Sequence, residues 1–220
     1  HGGPVDGYGA AAEKGLIEAY DSPTAKEIPD KYKDPNHNWT GVYVGVLGFC
    51  SNQKVLQEKG LEVPQSWDDL LKPELKGQIS TAHPSTSGTA FTTLWTQVVL
   101  RGSEDAGLDY MKKMHANVLQ YTKSGTAPGQ IAGRGEVAVG LVFSHDCVKY
   151  RDEGMKDLVV SFPKEGTGYE IGGVALVKNS KHSEAAKKYI DWAISADAQN
   201  LGQTVGSNQI LTNPNAKTND

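Results

Sequence analysis

The chain has 220 residues, 38% of them hydrophobic and 22% charged, and a formal net charge of −4 at pH 7. This composition is ordinary for a soluble globular protein, and the length accommodates one large domain or two smaller lobes. The lysines and arginines are scattered, which argues against a nucleic-acid or anionic-membrane surface, and no apolar run approaches the roughly 20 residues that span a bilayer.

The first third of the chain predicts short helices and one long strand. A helix through residues 10–14 is followed by a loop rich in Pro, Asp and Asn at residues 21–38. Valines that alternate with Gly and Tyr predict a strand over residues 39–52. Residues 55–71 predict a helix, a turn and a second helix, and the start of the second helix at Ser66 resembles a capping box.

A cluster of hydroxyl residues and glycine precedes the next predicted helix, which starts near residue 87. The candidates for ligand contact in this cluster are Ser85, Thr86, Ser87, Gly88 and Thr89. Such a helix start is either a simple cap or an anion site, because its free amides, hydroxyls and positive dipole end attract oxyanions. A short predicted strand at residues 77–81 precedes it, and ligands collect at the carboxyl ends of strands in α/β sheets. The helix itself is predicted from apolar residues at helical spacing, namely Phe91, Leu94, Trp95, Val98 and Val99.

The second half of the chain predicts alternating helices and strands. A helix capped by Ser103 precedes a strand, a loop and a short helix, and a continuous apolar run at residues 136–144 is typical of a strand buried on both faces. Two strands, two helices and a polar tail are predicted at residues 158–163, 172–179, 183–195, 196–206 and 211–220. The first of these helices has an apolar face of Ala186, Tyr189, Ile190, Ala193 and Ile194. The alternation predicts an α/β fold with largely parallel sheets.

Three further places in the sequence offer candidate ligand contacts. The segment "YTKSGTAP" is a second hydroxyl- and glycine-rich loop, in which Ser124 and Thr126 are the candidates. His145 and Asp146 follow the buried strand and form either a polar turn, a hydrogen-bonding pair for sugar hydroxyls, or two ligands of an incomplete metal site. Glu170 precedes a strand of small residues and is either a surface carboxylate or part of the site.

Two segments follow the pattern of a known family. "VPQSWDDLLKPELKGQISTAHPSTSGTAF" resembles the second lobe of type 2 periplasmic solute-binding proteins of ABC importers, in the branch that binds ferric iron, polyamines and phosphonates. "GVALVKNSKHSEAAKKYIDWAIS" and the "ADAQ" after it are similar to the family's return to its first lobe, and the resemblance extends over residues 6–215. It implies a two-lobed α/β fold of the type II periplasmic binding class, a ligand in the interlobe cleft, and docking of the closed form on a membrane permease.

The resemblance divides the chain into three parts. Residues 1–44 form the remainder of lobe one and the crossing segment, residues 45–163 form lobe two, and residues 164–220 return to lobe one with the C-terminal helices. The family's opening β-α-β-α unit has no counterpart here, so lobe one is expected to be truncated at its N-terminus. A chain truncated in this way is expected to bind ligand weakly and to self-associate through uncovered apolar surface.

The two cysteines are the remaining chemical feature of the sequence. From composition alone, Cys50 and Cys147 either form one disulfide or stay as buried thiols. The resemblance implies export from the cytoplasm, which would allow a disulfide. Because each cysteine follows a strand assigned near the lobe junction, the two are expected to be close in space.

The ligand class follows from one retained motif and one altered motif of the family. Ferric-binding members carry an adjacent tyrosine pair where this chain has His145 and Asp146, so the resemblance favours a polar organic ligand over iron. The family's anion site is retained at residues 87–89. The combination resembles the hexose-phosphate-binding members, in which the helix start would contact the phosphate while His145, Asp146 and Glu170 would contact the sugar hydroxyls.

Other functions are weighed against this interpretation. Ferric iron and aminoethylphosphonate are the alternative ligands, whereas a polyamine needs more carboxylates than Asp146 and Glu170 supply. An enzyme on the same fold with His145 as general base lacks a nucleophile partner. The sequence contains no GxGxxG, GxxxxGK[ST], CxxC, HExxH or GxSxG motif, so neither a cofactor nor a resident metal nor a catalytic residue is predicted.

Overall fold

The computed structural model describes residues 1–217, so the last three residues of the predicted polar tail lie outside the described part of the chain. The chain divides into two compact units. The first unit comprises His1–Gly45 and Glu170–Asp220, and the second comprises Val46–Tyr169. Within the described residues, no helix combines the length and the apolar composition that a membrane crossing requires.

Helices and strands alternate along most of the chain, in agreement with the predicted α/β class. The helices are α1 (Val5–Glu13), α2 (Gln53–Glu58), α3 (Gly88–Arg101), α4 (Glu104–His115), α5 (Ala127–Gly133), α6 (Ser144–Asp152), α7 (Ser183–Ala193) and α8 (Ala196–Thr204). The strands are β1 (Ile17–Glu18), β2 (Thr40–Asn52), β3 (Ile79–Ala82), β4 (Val118–Thr122), β5 (Val139–Phe143), β6 (Leu158–Ser161), β7 (Tyr169–Val174), β8 (Leu176–Val177) and β9 (Ile210–Leu211).

A mixed sheet forms the centre of the second unit, with the strand order β4-β3-β5-β2-β6. β3 runs parallel to both neighbours, and its Ile79 pairs with Val118 on one side and Val139 on the other. β2 runs antiparallel to β5 and to β6. The prediction of largely parallel sheets is therefore wrong for half of these pairings. Alternation of helices and strands along a chain does not specify which strands become neighbours, and the neighbours decide the relative direction.

Helix α3 buries a polar face, which differs from the apolar face that its sequence predicts. Its buried side chains are Ala90, Thr93, Thr96 and Gln97. The large apolar side chains on the opposite face are more than half exposed, namely Phe91, Trp95 and Val99. Polar burial is tolerated here because the hydroxyls are satisfied within the helix: Thr93 donates to the Thr89 carbonyl at 3.0 Å, and Thr96 donates to the Thr92 carbonyl at 2.7 Å.

The second helix predicted within residues 55–71 is only a 3₁₀ turn, Asp68–Leu71. Pro73 explains the early end, because a proline disfavours helical backbone in the residue before it, and Lys72 is extended with ψ at 132°. The predicted cap is present all the same, since the Asp69 amide donates to Ser66 Oγ at 3.0 Å. The capping pattern therefore identified the start of this 3₁₀ turn correctly, and Pro73 limited its length.

In the first unit, α7 packs on a small apolar core. Ile190 and Ile194 of its predicted inward face are buried in one cluster with Ala25, Ile28, Val174 and Leu176. Tyr189, which the same pattern places inward, is 44% exposed. β1 pairs antiparallel with β8, and the first half of β2 pairs antiparallel with β9.

The return to the first unit begins at Glu170, six residues after the predicted boundary at residue 164. Backbone hydrogen bonds keep the intervening segment with the second unit. The Lys164 amide donates to the Gln65 carbonyl at 2.9 Å, and the Leu47 amide donates to the Gly168 carbonyl at 3.0 Å.

Candidate functional site

Three helices of the second unit begin at the same edge of the sheet. α3, α5 and α6 follow the three mutually parallel strands β3, β4 and β5, whose carboxyl ends share one edge. In α/β sheets such an edge is where ligands bind. It carries nine of the ten predicted contacts, which are Ser85, Thr86, Ser87, Gly88, Thr89, Ser124, Thr126, His145 and Asp146.

The loop after β3 is folded so that α3 begins with two free amides. The carbonyl of His83 accepts from the Ser87 amide at 3.1 Å, and Ser87 Oγ then accepts from the Ala90 amide at 3.4 Å, which makes Ser87 the N-cap of α3. Helix geometry leaves the amides of Gly88 and Thr89 without an intrahelical acceptor. Of the two interpretations of this segment, helix cap or anion site, the structure therefore establishes the cap at Ser87. The amides of Gly88 and Thr89 point out of the helix start, as an anion site would require.

Ser85 and Thr86 hold this loop in place. Ser85 Oγ lies 2.7 Å from Nδ1 of His83, and the Thr86 hydroxyl is within 3.2 Å of the carbonyls of both His83 and Lys123. Lys123 belongs to the loop after β4, so Thr86 connects the two loops. These contacts give Ser85 and Thr86 a structural role, and direct contact with a ligand stays a prediction for both.

The loop after β4 lies against the start of α3 at Gly125. A Cβ placed on Gly125 would be 2.7 Å from Ser87 Oγ and 2.9 Å from Thr89 Cβ. The flanking hydroxyls, Ser124 Oγ and Thr126 Oγ1, are 3.0 Å apart. Sequence reasoning chose both hydroxyl residues but missed Gly125. The signal was available, because Ser-Gly-Thr-Ala occurs at residues 87–90 and again at residues 124–127.

His145 and Asp146 lie in the first turn of α6, which corrects the alternative that they form a polar turn. The sequence patterns missed this helix because its residues are mostly polar and have no continuous apolar face. Among the described residues, no side chain caps the start of α6. The His145 ring stacks on Phe143 with 5.6 Å between ring centroids, and its Nε2 is 3.9 Å from Asp146 Oδ1. Its Nδ1 is shielded from solvent and has no hydrogen-bond partner within the described chain.

Burial controls the charges of this pair. It lowers the pKa of His145 to about 4, so the imidazole is neutral at pH 7 and can both donate and accept a hydrogen bond. Burial also raises the pKa of Asp146 to about 6, against the opposing effect of Lys149. At pH 7 the pair is therefore a neutral imidazole beside a carboxylate, which suits hydroxyl groups as hydrogen-bonding partners.

A disulfide fixes α6 to the sheet. Cys147, which directly follows Asp146, is bonded to Cys50 near the C-terminal end of β2, with the Cα atoms 5.5 Å apart. The expected proximity of the two cysteines is thus confirmed, and of the two alternatives the disulfide is the one present. The bond anchors the turn that carries His145 and Asp146.

Glu170 is not part of the edge described above, because it belongs to the first unit. Burial and the neighbouring carboxylate of Asp6 raise its pKa. Its contact with a ligand stays a prediction. Across residues 1–217, no three His, Cys, Asp or Glu side chains are grouped so that they could hold a metal ion.

Comparison with known proteins places the chain among binding proteins. Residues 6–216 match the family model described as bacterial extracellular solute-binding protein. An uncharacterized protein of Haemophilus influenzae is 43% identical over 98% of this chain, and a putative 2-aminoethylphosphonate-binding periplasmic protein of Salmonella typhimurium is 28% identical over 86%. The solved structure of the periplasmic binding protein AfuA from Actinobacillus pleuropneumoniae, with exogenous fructose-6-phosphate bound, superimposes with a TM-score of 0.91 at 42% identity over the whole of this chain.

The chain is shorter than these proteins. It spans 64% of the Haemophilus relative and 55% of the Salmonella relative, less than two thirds of each, and 70% of the AfuA chain. The matched part includes the whole second unit, and therefore all of the edge formed by β3, β4 and β5.

Proposed function

The chain belongs to the bacterial extracellular solute-binding proteins, and from that premise we propose that it binds a small phosphorylated molecule such as a hexose phosphate. The protein is periplasmic or otherwise extracytoplasmic, as the family description and the periplasmic names of its relatives indicate. It is a binding protein and not an enzyme. Our proposal concerns three things: the identity of the ligand, the residues that contact it, and the permease that would receive it.

The phosphate end of the proposed ligand rests on one observation, the packing of two Ser-Gly-Thr loops against each other. Gly125 of the second loop comes so close to Ser87 and Thr89 of the first that even a Cβ would not fit. Amides at a helix start and serine and threonine hydroxyls all donate hydrogen bonds, and such donors bind phosphoryl oxygens without a basic side chain. A tetrahedral phosphoryl group has three terminal oxygens, so it can use donors from both loops.

The sugar end of the proposed ligand is assigned to the start of α6. The carboxylate of Asp146 accepts hydrogen bonds from hydroxyls, and the neutral His145 can complement it. The partial exposure of both side chains, 17% for His145 and 15% for Asp146, supports this assignment, because a ligand at this edge of the sheet could reach them. We propose Glu170 as a further sugar contact.

The likeness to AfuA supports the ligand class, since that structure holds fructose-6-phosphate and is 42% identical to this chain. We further propose that the liganded protein delivers its cargo to the permease of an ABC importer. This role rests on the family, whose members are extracellular solute-binding proteins.

Aminoethylphosphonate is the second candidate. The Salmonella relative named for that ligand is 28% identical to this chain. A phosphonate would occupy the same two loops as a phosphate, and the Asp146 carboxylate could pair with the ammonium group in place of a hydroxyl. The two Ser-Gly-Thr loops therefore suit the phosphate of a hexose phosphate and the phosphonate of aminoethylphosphonate equally well. The two ligands differ at the other end of the molecule, which carries sugar hydroxyls in one and an ammonium group in the other.

Calorimetric titration of the protein, freed of bound ligand by unfolding and refolding, tests the proposal. We expect fructose 6-phosphate or glucose 6-phosphate to bind more tightly than inorganic phosphate, and unphosphorylated hexose to bind more weakly still, since a site built for hydroxyls rejects analogues that lack them. Tighter binding of aminoethylphosphonate than of any hexose phosphate would select the second candidate. A charge-transfer colour with tight uptake of Fe(III) would overturn both.

A further inference from the structure

Gly125 lies where the loop after β4 meets the start of α3, and this position has no room for a side chain. A Cβ there would contact Thr89 Oγ1 most closely and would lie 2.7 Å from Ser87 Oγ and 2.9 Å from Thr89 Cβ, and real Cβ contacts of this length are essentially never seen. The backbone of Gly125 is not in the left-handed region that favours glycine. The need for glycine is therefore one of space and not of backbone conformation.

The loop around Gly125 cannot easily move away, because side chains hold the carbonyls on both sides of it. Thr122 Oγ1 donates to the Ser124 carbonyl at 2.8 Å, and the Tyr150 hydroxyl donates to the Thr126 carbonyl at 3.2 Å. The Thr86 hydroxyl bonds to the Lys123 carbonyl at 3.2 Å. An added methyl group at residue 125 would therefore turn the hydroxyls of Ser87 and Thr89 away, and, because Thr89 Cβ is fixed by the backbone, it would also push the start of α3 away from the loop.

We propose that Gly125 is a positioning residue of the anion site. Because it has no side chain, the second Ser-Gly-Thr loop, which carries Ser124 and Thr126, closes on the start of α3 at Ser87 and Thr89. A phosphate monoester, with three terminal oxygens, is then held from both loops. This inference rests on the proposed function and adds the residue that sets the spacing of its phosphate donors.

The test compares Gly125→Ala with wild type, using fructose 6-phosphate and inorganic phosphate as probes in calorimetric titrations. We expect both Kd values to rise by roughly tenfold or more, and by a similar factor, because the loss is at the phosphate end that the two probes share. Gly9→Ala is the matched control: a Cβ at Gly9 meets nothing within 4 Å, and we expect unchanged affinity. The Tm of Gly125→Ala should stay within a few degrees of wild type.

A double-mutant cycle separates positioning from general damage. In the Thr89→Ala background the hydroxyl nearest to the new methyl group is already gone, so adding Gly125→Ala should weaken binding by a clearly smaller factor than it does in wild type. An equal factor in both backgrounds would overturn the inference, as would wild-type affinity in Gly125→Ala. If Gly125→Ala alone does not fold, the comparison of Thr89→Ala with Thr89→Ala/Gly125→Ala decides, because Ser87 Oγ and the Cβ of residue 89 still lie in the way of the new methyl group. Weaker binding of both probes by the double variant supports the inference, and equal affinity overturns it.

The failure of the proposed function is distinguishable from the failure of this inference. Wild-type protein that binds neither probe would overturn the function and the positioning role together. Wild-type protein that binds both probes, with Gly125→Ala indistinguishable from it, would leave the function standing and remove only the role of Gly125.

Discussion

Cys50 and Cys147, which are 97 residues apart in the sequence, are joined by a disulfide that connects β2 to the first half of α6. Both cysteines are almost completely buried, at 0% and 1% exposure. The residue before Cys147 is Asp146, so the bond anchors the turn that carries two predicted ligand contacts. A bond between elements so far apart in sequence restricts the unfolded chain strongly, and it also holds the start of α6 on the sheet.

Removing the disulfide should destabilise the protein. For the double variant Cys50→Ala/Cys147→Ala we expect the free energy of unfolding to fall by about 2–5 kcal/mol, the usual range for a native bridge that closes a long loop. Urea unfolding followed by circular dichroism measures this, with the wild-type protein under oxidising conditions as the reference. An unchanged midpoint with an unchanged slope would contradict the expectation.

Substitutions of Ser87 and Thr89 should distinguish the contribution of the α3 start to stability from its contribution to ligand binding. Ser87→Ala removes the N-cap of α3 and should cost about 1 kcal/mol of stability together with ligand affinity. Thr89→Val should lower affinity with little effect on stability, because Thr89 does not cap the helix. Ser103→Ala is the matched control: it removes the equivalent cap of α4, where Ser103 Oγ accepts from the Ala106 amide at 3.2 Å, but not a ligand contact. Thermal melts and titrations with a hexose phosphate give both quantities, and unchanged affinity in both site variants would argue against an anion site here.

Asp146 should contribute to sugar binding and not to phosphate binding. Asp146→Asn should weaken the binding of a hexose phosphate by roughly tenfold or more and leave the affinity for inorganic phosphate nearly unchanged, because only the sugar has hydroxyls that donate hydrogen bonds to the carboxylate. Asp109→Asn is the control, since Asp109 is an exposed carboxylate paired with Lys112 on α4. Calorimetric Kd values for both probes make the comparison. Equal losses for the two probes would show that Asp146 does not contact the sugar.

Opposite effects of pH on stability are expected for His145 and Asp146. Burial lowers the pKa of His145 from about 6.5 in the unfolded chain to about 4 in the folded protein. Between pH 6.5 and pH 4 the unfolded state therefore binds more protons than the folded state, and the free energy of unfolding decreases as the pH falls. Burial raises the pKa of Asp146 to about 6, so between about 4 and 6 the folded state binds more protons, and stability is lost as pH rises through 6.

These signs give a paired test. Relative to wild type, His145→Asn should gain more stability at pH 4.5 than at pH 7.5, whereas Asp146→Asn should gain more at pH 7.5 than at pH 4.5. Urea unfolding at several pH values between these limits supplies the free energies. Parallel pH profiles for the two variants and wild type would mean that burial does not perturb these groups.

Much of the fold could be predicted because its signals are local. The apolar run at residues 136–144 identifies β5, whose five residues are all buried, and Ser103 identifies the start of α4 through the bond that it accepts. Where a local signal was absent or misleading, prediction failed. α6 has no apolar face to reveal it, and in α3 the large apolar side chains of Phe91, Trp95 and Val99 are exposed while Thr93 and Thr96 are buried.

The class of fold and the position of the proposed site could both be predicted from the amino-acid sequence, because hydroxyl, glycine and carboxylate residues at the ends of strands are recognisable one segment at a time. Which of those segments come into contact is visible in the three-dimensional fold and not in the sequence. The contact of Gly125 with Ser87 and Thr89 and the bond between Cys50 and Cys147 both join residues that are remote along the chain. Such contacts depend on strand order and on close packing in three dimensions, which no periodicity within a single segment specifies.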